Sequence, residues 1–172
     1  NKLSPADIHS KIADQDWADS YLKHPVTQQA SIPVIPLALY LDGVAFLKKD
    51  SVIGFWIINL LSGTRHLCAM LRKSSLCRCS CRGWCSISVI LRFLTWSLTA
   101  CANGVFPSTD LWGDEWPEGD VRKATVGPLC CKMALCQIHG DWAEYSKSLG
   151  FPSWKSTLHP CCFCHCDSSN WW

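Results

Sequence analysis

Four apolar runs and two helical patterns follow one another along the chain in an order that few folds can accommodate. Apolar residues recur at helical spacing from Ile87 to Cys101, and a shorter helix is predicted over residues 141–149. The remaining runs are rich in branched and aromatic side chains, which favour β-strands, and they occupy residues 32–46, 52–61, 65–72 and 129–139. The order strand, strand, strand, helix, strand, helix predicts an α/β domain with a mixed sheet.

The residues between these runs indicate how the strands pair. Ser62-Gly63-Thr64 is a short glycine-containing loop between the second and third runs, as is typical of an antiparallel hairpin. The long helix is apolar nearly all round, so we expect it to be well buried. The fourth run is apolar on both faces, which predicts a central strand. Three antiparallel strands and a helix that crosses to a further strand form the opening of an RNase H-like fold, which is the fold class that we predict.

The first 31 residues differ from the rest in being mostly polar. Ser4 and Pro5 have the pattern of a helix start, and His24-Pro25 is its predicted end. We therefore predict a helical lead-in over residues 1–31 and an incomplete core over residues 32–172. Asn1 at the start and two tryptophans at the end do not look like natural termini, so we expect a fragment. No secretion signal is visible, and Arg92 interrupts the longest apolar stretch, so we expect an intracellular protein without a membrane span.

The net charge of +2 names no partner, but the charges are unevenly distributed. No acidic residue lies between Asp50 and Asp110, whereas six cationic residues do. A basic middle section fits a phosphate-rich partner, and we predict nucleic-acid contacts from the residues around the third strand, Arg65, Arg72 and Lys73. The alternative is a charged hairpin edge that blocks aggregation.

Two aspartates occupy special places in the predicted strand order. Asp42 lies in the first strand and Asp141 ends the fourth. In RNase H-like folds these are the positions of metal-binding carboxylates, so we predict that the pair holds Mg²⁺ or Mn²⁺. Each has a structural alternative: Asp42-Gly43 is a common hairpin turn, and Asp141 with Glu144 matches a capping box. A third acidic ligand is expected on a later helix, and we do not assign that role to Glu144. We expect no nuclease or strand-transfer activity from this chain alone.

Thirteen cysteines, an odd number without a secretion signal, favour reduced thiols over a disulfide framework. They cluster at residues 77–85 and 159–166. Structural zinc takes four sulfur or nitrogen ligands, often as two closely spaced pairs. We predict zinc ligands from both clusters, namely Cys79 or Cys81 with Cys85, joined by Cys161 and Cys164. Buried free thiols are the alternative.

Several segments together resemble a family of transposon-derived proteins of protists and, more distantly, CACTA-type DDE transposases. The resemblance rests on residues 36–44 (PLALYLDGV), 81–85 (CRGWC), 140–145 (GDWAEY), 149–154 (LGFPSW) and 160–164 (PCCFC). It implies a transposase catalytic core with Asp42 and Asp141 as the first two acids. It also implies DNA at transposon ends as the partner, a nuclear location, and possible homo-oligomers of the parent protein.

Two functions from different classes remain open at this point. One is a piece of a DDE-type transposase, whose parent catalyses metal-dependent phosphodiester cleavage and strand transfer. The other is a non-catalytic, zinc-stabilised module that binds nucleic acid or protein. A decayed copy without a function of its own is a third interpretation.

Overall fold

The computed structural model describes residues 4–48, 50–81, 83–153, 155–158 and 160–161. It begins with three short helices, α1 (Pro5–Ile12), α2 (Ala18–Leu22) and α3 (Pro25–Gln28). The predicted start is confirmed, because Ser4 and Asp7 cap α1 reciprocally through side chain and backbone. The predicted end is wrong: the His24 ring accepts a hydrogen bond from the Val26 amide, and Pro25 opens α3.

The remaining elements follow the predicted order, strand, strand, strand, helix, strand, helix, with small additions. A single 3₁₀ turn, Lys73–Ser75, follows the third strand, and a two-stranded ribbon with one short helix follows the long helix. In chain order the elements are β1 (Val34–Leu47), β2 (Asp50–Asn59), β3 (Arg65–Arg72), α4 (Trp84–Asn103), β4 (Val105–Phe106), α5 (Val121–Thr125), β5 (Gly127–Pro128), β6 (Lys132–Gly140) and α6 (Trp142–Ser148).

The main sheet is mixed and has the strand order β3-β2-β1-β6. β1 pairs antiparallel with β2, and β2 pairs antiparallel with β3, as the hairpin loop predicted. β6 runs parallel to β1, from Val34 opposite Lys132 to Leu41 opposite Gly140. The prediction that the fourth run is a central strand is wrong, since β1 has neighbours on both sides and β6 lies at the edge of this sheet. β6 is apolar on both faces because helices pack on both, with α2 and α3 on one side and α4 on the other.

Alternate residues of β1 point to opposite faces of the sheet, and each face has its own core. The first core joins the N-terminal helices to one end of the sheet through Ile8, Ile12, Trp17, Tyr21, Val34 and Ala134. The Tyr21 hydroxyl donates to the Val34 carbonyl at 2.9 Å within it. The second core joins α4 to the other face through Leu39, Leu41, Ile53, Phe55, Ile87 and Leu94. The described part of the lead-in, residues 4–31, therefore contributes side chains to the same folded body as the sheet.

α4 is bounded by two glycines in the left-handed region, Gly83 at φ 90° and Gly104 at φ 71°. Its burial is less than predicted, because Ile87 and Leu94 face the sheet and the other side chains stay partly exposed. α4 is also the one helix in the described residues that is long and apolar enough to cross a membrane by composition. Its best 18-residue window has a mean hydropathy of 1.5, with 11% of that window buried.

Candidate metal centre and acidic sheet edge

Four cysteine sulfurs converge in the cysteine loop, which we define as residues 77–85. This segment follows the 3₁₀ turn and ends within the first turn of α4. The ligand atoms of Cys77, Cys79, Cys81 and Cys85 all lie within 4.8 Å of one another. Cys81 is the centre of the group, with its sulfur 3.0 Å from the sulfurs of Cys77 and Cys79. The Cys77–Cys79 and Cys79–Cys85 separations are 3.6 and 3.7 Å. Four sulfurs bound to one zinc ion by ~2.3 Å bonds lie roughly 3.8 Å apart. The Cys77–Cys79 and Cys79–Cys85 separations are close to that value, and the two separations from Cys81 are shorter.

Backbone contacts hold the loop in this shape. The Cys77 amide donates to the Ser86 hydroxyl at 2.9 Å, and the Cys85 amide donates to the Cys81 sulfur at 3.3 Å. Gly83 is buried against Leu76, whose methyl carbons would lie 3.1 Å from any Cβ at this position. Its positive φ and this close approach both favour glycine, so the loop is built to turn back on itself at the start of α4.

The sulfurs share hydrogen bonds unequally, which separates their pKa values. Hydrogen bonds from Cys77 and Cys79, with the Cys85 amide, lower the pKa of Cys81 to about 6. The hydrogen bond with Cys81 raises the pKa of Cys79, and hydrogen bonds with Cys81 and Cys79 raise that of Cys85 to about 12. Cys81 is thus the thiolate that these hydrogen bonds favour near neutral pH, and the all-sulfur donor set of the loop suits a thiophilic ion such as zinc.

Metal binding to the cysteine loop is expected to release protons. At pH 7.5 Cys81 is already ionised, whereas Cys79 and Cys85 carry protons that a tetrathiolate site must lose. Zinc titrations by calorimetry in buffers of different ionisation enthalpy should report the release of about two or more protons per ion. The affinity should weaken as the pH falls, because protons then compete for all the sulfurs. A binding heat that is independent of the buffer would contradict this ligand set.

The predicted ligands are only partly those that the structure brings together. Cys79, Cys81 and Cys85 belong to the group, and Cys77 is the fourth member, which the sequence analysis did not select. The alternating Cys-x-Cys-x-Cys spacing was the signal that could have found it. Cys161 is described but is not among the four, and Cys164 lies outside the described residues, so a role for the second cluster stays a prediction.

The two predicted acids follow the last residue pair of the parallel β1–β6 ladder, Asp42 within β1 and Asp141 just after β6. Leu41 pairs with Gly140, and Asp42 and Asp141 are the next residues in the chain after these two. β1 continues past Gly43 to Leu47, so the hairpin-turn alternative for Asp42 is wrong. The Tyr40 hydroxyl donates to the Asp42 carboxylate at 2.9 Å, and this bond raises the pKa of Tyr40. Among the described residues, no third His, Cys, Asp or Glu side chain groups closely with this pair.

Asp141 also caps α6, as its alternative interpretation predicted. Its carboxylate accepts a hydrogen bond from the Glu144 amide at 2.6 Å. The reciprocal half of the predicted capping box is absent from this helix start. The Glu144 carboxylate is buried and instead accepts a hydrogen bond from the Ser148 hydroxyl at 2.8 Å. Its other oxygen lies 3.7 Å from the Lys73 ammonium.

The three predicted phosphate-binding residues have different surroundings. Arg72 pairs with Asp50 at 2.9 Å, and Lys73 faces Glu144, so both already have carboxylate neighbours. Hydrogen bonds from the Ser74 hydroxyl and from Arg72 lower the pKa of Asp50. Arg65 is exposed and lies over the Tyr40 ring, 5.8 Å from its centroid. Arg65 therefore lies beside the tyrosine that hydrogen-bonds to Asp42.

The chain was compared with protein-family models, curated proteins and solved structures. No family model, curated protein or solved structure matches it.

Proposed function

We propose that the chain carries an incomplete RNase H-like core of the DDE transposase type, and that its parent protein acts on DNA. The observation that supports the proposal most is the sheet order β3-β2-β1-β6 with β6 parallel to β1, combined with Asp42 and Asp141 directly after the last pair of that parallel ladder. The proposal includes a nuclear location for the parent protein. It also includes assembly of that parent protein into homo-oligomers.

Asp42 and Asp141 are the residues that would hold the divalent ion. Their oxygen donors suit Mg²⁺ or Mn²⁺, and both side chains are accessible to solvent, Asp42 being half-buried and Asp141 exposed. When bound, such an ion activates the attacking oxygen and stabilises the leaving oxygen of a phosphodiester. Tyr40 orients the Asp42 carboxylate through its hydrogen bond, and the α6 cap orients that of Asp141. Arg65 is placed to contact a phosphate group nearby.

The acidic pair is tested by replacing both aspartates with asparagine. Asparagine keeps the shape, the acceptor for Tyr40 and the ability to cap α6, so the fold should persist. We expect the double variant to lose at least about tenfold in Mn²⁺ affinity, because two charged ligands are removed. Electron paramagnetic resonance of free Mn²⁺ measures this directly.

Asp19→Asn is the control, since Asp19 is exposed on α2 and pairs only locally with Lys23. Equal Mn²⁺ affinity of the wild type, the control and the double variant would refute the metal site. Magnesium-dependent DNA cleavage by the chain alone would refute our expectation that a further acid is needed.

A second function is favoured by the cysteine loop itself. Its four sulfurs form a complete ligand set without help from the acidic edge. We therefore retain a zinc-stabilised module that binds nucleic acid or protein without catalysis. DNA binding that survives Asp42→Asn with Asp141→Asn but disappears on zinc removal would favour this module over the transposase core.

A further inference from the structure

Glu144 is an ionisable residue that the fold buries almost completely. It is 3% exposed, and Ser148, its hydrogen-bond partner, is 0% exposed. An ionised carboxylate that leaves water loses its hydration, so burial without compensating partners is strongly unfavourable. A role beyond local helix stability is therefore indicated.

The surroundings of this carboxylate join three separate elements. Oε2 accepts from Ser148 on α6, and Oε1 faces Lys73 in the 3₁₀ turn at 3.7 Å. Oε1 also lies against the backbone of Gly43 in β1, so closely that a Cβ built there would be 2.5 Å away. Gly43 has no positive φ, so its glycine serves this close approach and not an unusual backbone shape.

Of the acidic pair, Asp42 is next to a residue that contacts Glu144, and Asp141 contacts Glu144 directly. Gly43 follows Asp42 in β1, and the Glu144 amide is the group that the Asp141 carboxylate caps. Successive strand residues point to opposite faces, so a group beneath Gly43 lies on the face opposite to the Asp42 side chain. The Glu144 carboxylate is thereby separated by the sheet from the place where the Asp42 carboxylate could bind an ion.

We propose that Glu144 is a positioning residue, whose buried carboxylate fixes β1 at Gly43 against the start of α6 and so sets the placement of Asp42 and Asp141. The proposal rests on the metal function proposed above. It assigns Lys73 to the charge balance of Glu144, in place of the phosphate contact predicted from the sequence. Outer-shell residues of this kind typically change metal affinity 10- to 100-fold when they are removed.

The test compares Mn²⁺ affinity in Glu144→Ala, Glu144→Gln and Gly43→Ala, with Glu118→Gln as the control. Glu118 is exposed and pairs only with Lys123. We expect Glu144→Ala and Gly43→Ala to weaken Mn²⁺ binding about tenfold or more, since one removes the carboxylate and the other displaces it. Glu144→Gln keeps the shape and the acceptor for Ser148 but loses the ion pair with Lys73, so its loss of Mn²⁺ affinity should be smaller than that of Glu144→Ala, whereas the control should match the wild type.

Two results would overturn the positioning role. A loss in Glu144→Gln as large as that in Asp42→Asn with Asp141→Asn would make Glu144 a metal ligand. Unchanged Mn²⁺ affinity in folded Glu144→Ala and Gly43→Ala would mean that Glu144 contributes only to packing. If Glu144→Ala does not fold, as judged by circular dichroism, Gly43→Ala and Glu144→Gln decide between these outcomes.

Amide hydrogen exchange at residue 144 gives a readout that does not need metal. This amide donates to Asp141, so its protection reports whether that carboxylate is held in place. If the wild type binds no Mn²⁺, the metal function fails, and exchange alone then tests the positioning role. Protection lost in Gly43→Ala and Glu144→Ala but kept in Glu144→Gln would support it, and uniform protection would overturn it.

Discussion

Replacing Cys81 with serine is expected to abolish one-to-one zinc binding and to lower the thermal midpoint of the zinc-loaded protein. The Cys81 sulfur contacts two other sulfurs at 3.0 Å and accepts a hydrogen bond from the Cys85 amide. Its replacement therefore removes the central ligand of the group. Binding of structural zinc contributes directly to folding, and a loss of about 3 kcal/mol would lower the midpoint by roughly 10 °C in a chain of this size. Thermal unfolding with and without zinc measures the effect.

Cys68→Ser is the matched control for this experiment. Cys68 is exposed on β3 and is not one of the four grouped sulfurs, so its variant should bind zinc and unfold like the wild type. Chelation should reproduce the Cys81→Ser midpoint in the wild type and change nothing further in the variant. Identical midpoints for zinc-loaded and metal-free wild type would show that the cysteine loop has no structural ion.

Replacing Ile12 with alanine should destabilise the whole domain, not only α1. Ile12 is 1% exposed and packs in the core that joins the N-terminal helices to β1 and β6. Truncation of a buried isoleucine to alanine costs about 2–5 kcal/mol through lost burial and a residual cavity. Denaturant unfolding followed by tryptophan fluorescence and by circular dichroism should give one shared transition at lower denaturant.

Leu22→Ala provides the comparison within the same segment, because Leu22 is 46% exposed on α2. Its effect should stay within about 0.5 kcal/mol. A biphasic transition in Ile12→Ala, with the sheet unchanged, would mean that residues 1–31 fold separately. The lead-in and core that we predicted as two segments would then be independent units.

Much of the fold is readable from the sequence because local signals and tertiary packing agree there. β3 has the predicted bounds, since a glycine turn precedes it and a charged pair, Arg72 and Lys73, closes the apolar run. The Ser4 cap is equally local. The place of the fourth strand in the sheet was predicted wrongly. Apolar residues such as Leu135 show that the faces of a strand are covered, but they do not show whether a further strand pairs beside it.

The candidate site was harder to predict, because its contacts join distant segments. Cys79, Cys81 and Cys85 were selected from spacing alone, and their convergence on one point also requires the turn at Gly83. The partnership of Lys73 with Glu144 spans the whole of α4 and β6, and no local pattern signals it. A run of cationic residues in the sequence fits contacts with solvent or with phosphate equally well. That one of these cations pairs with a buried carboxylate becomes visible only in the folded structure.

The parallel pairing of β1 with β6 has a consequence for how the polypeptide is made. Val34 pairs with Lys132, about a hundred residues later, so the middle strand lacks one partner until most of the chain has left the ribosome. The β1–β2–β3 meander can form early, but it then exposes an open row of β1 amides and carbonyls to other nascent chains. Slow synthesis or crowding should therefore favour aggregation through β1, and an excess of a peptide spanning residues 132–140 should compete with that aggregation.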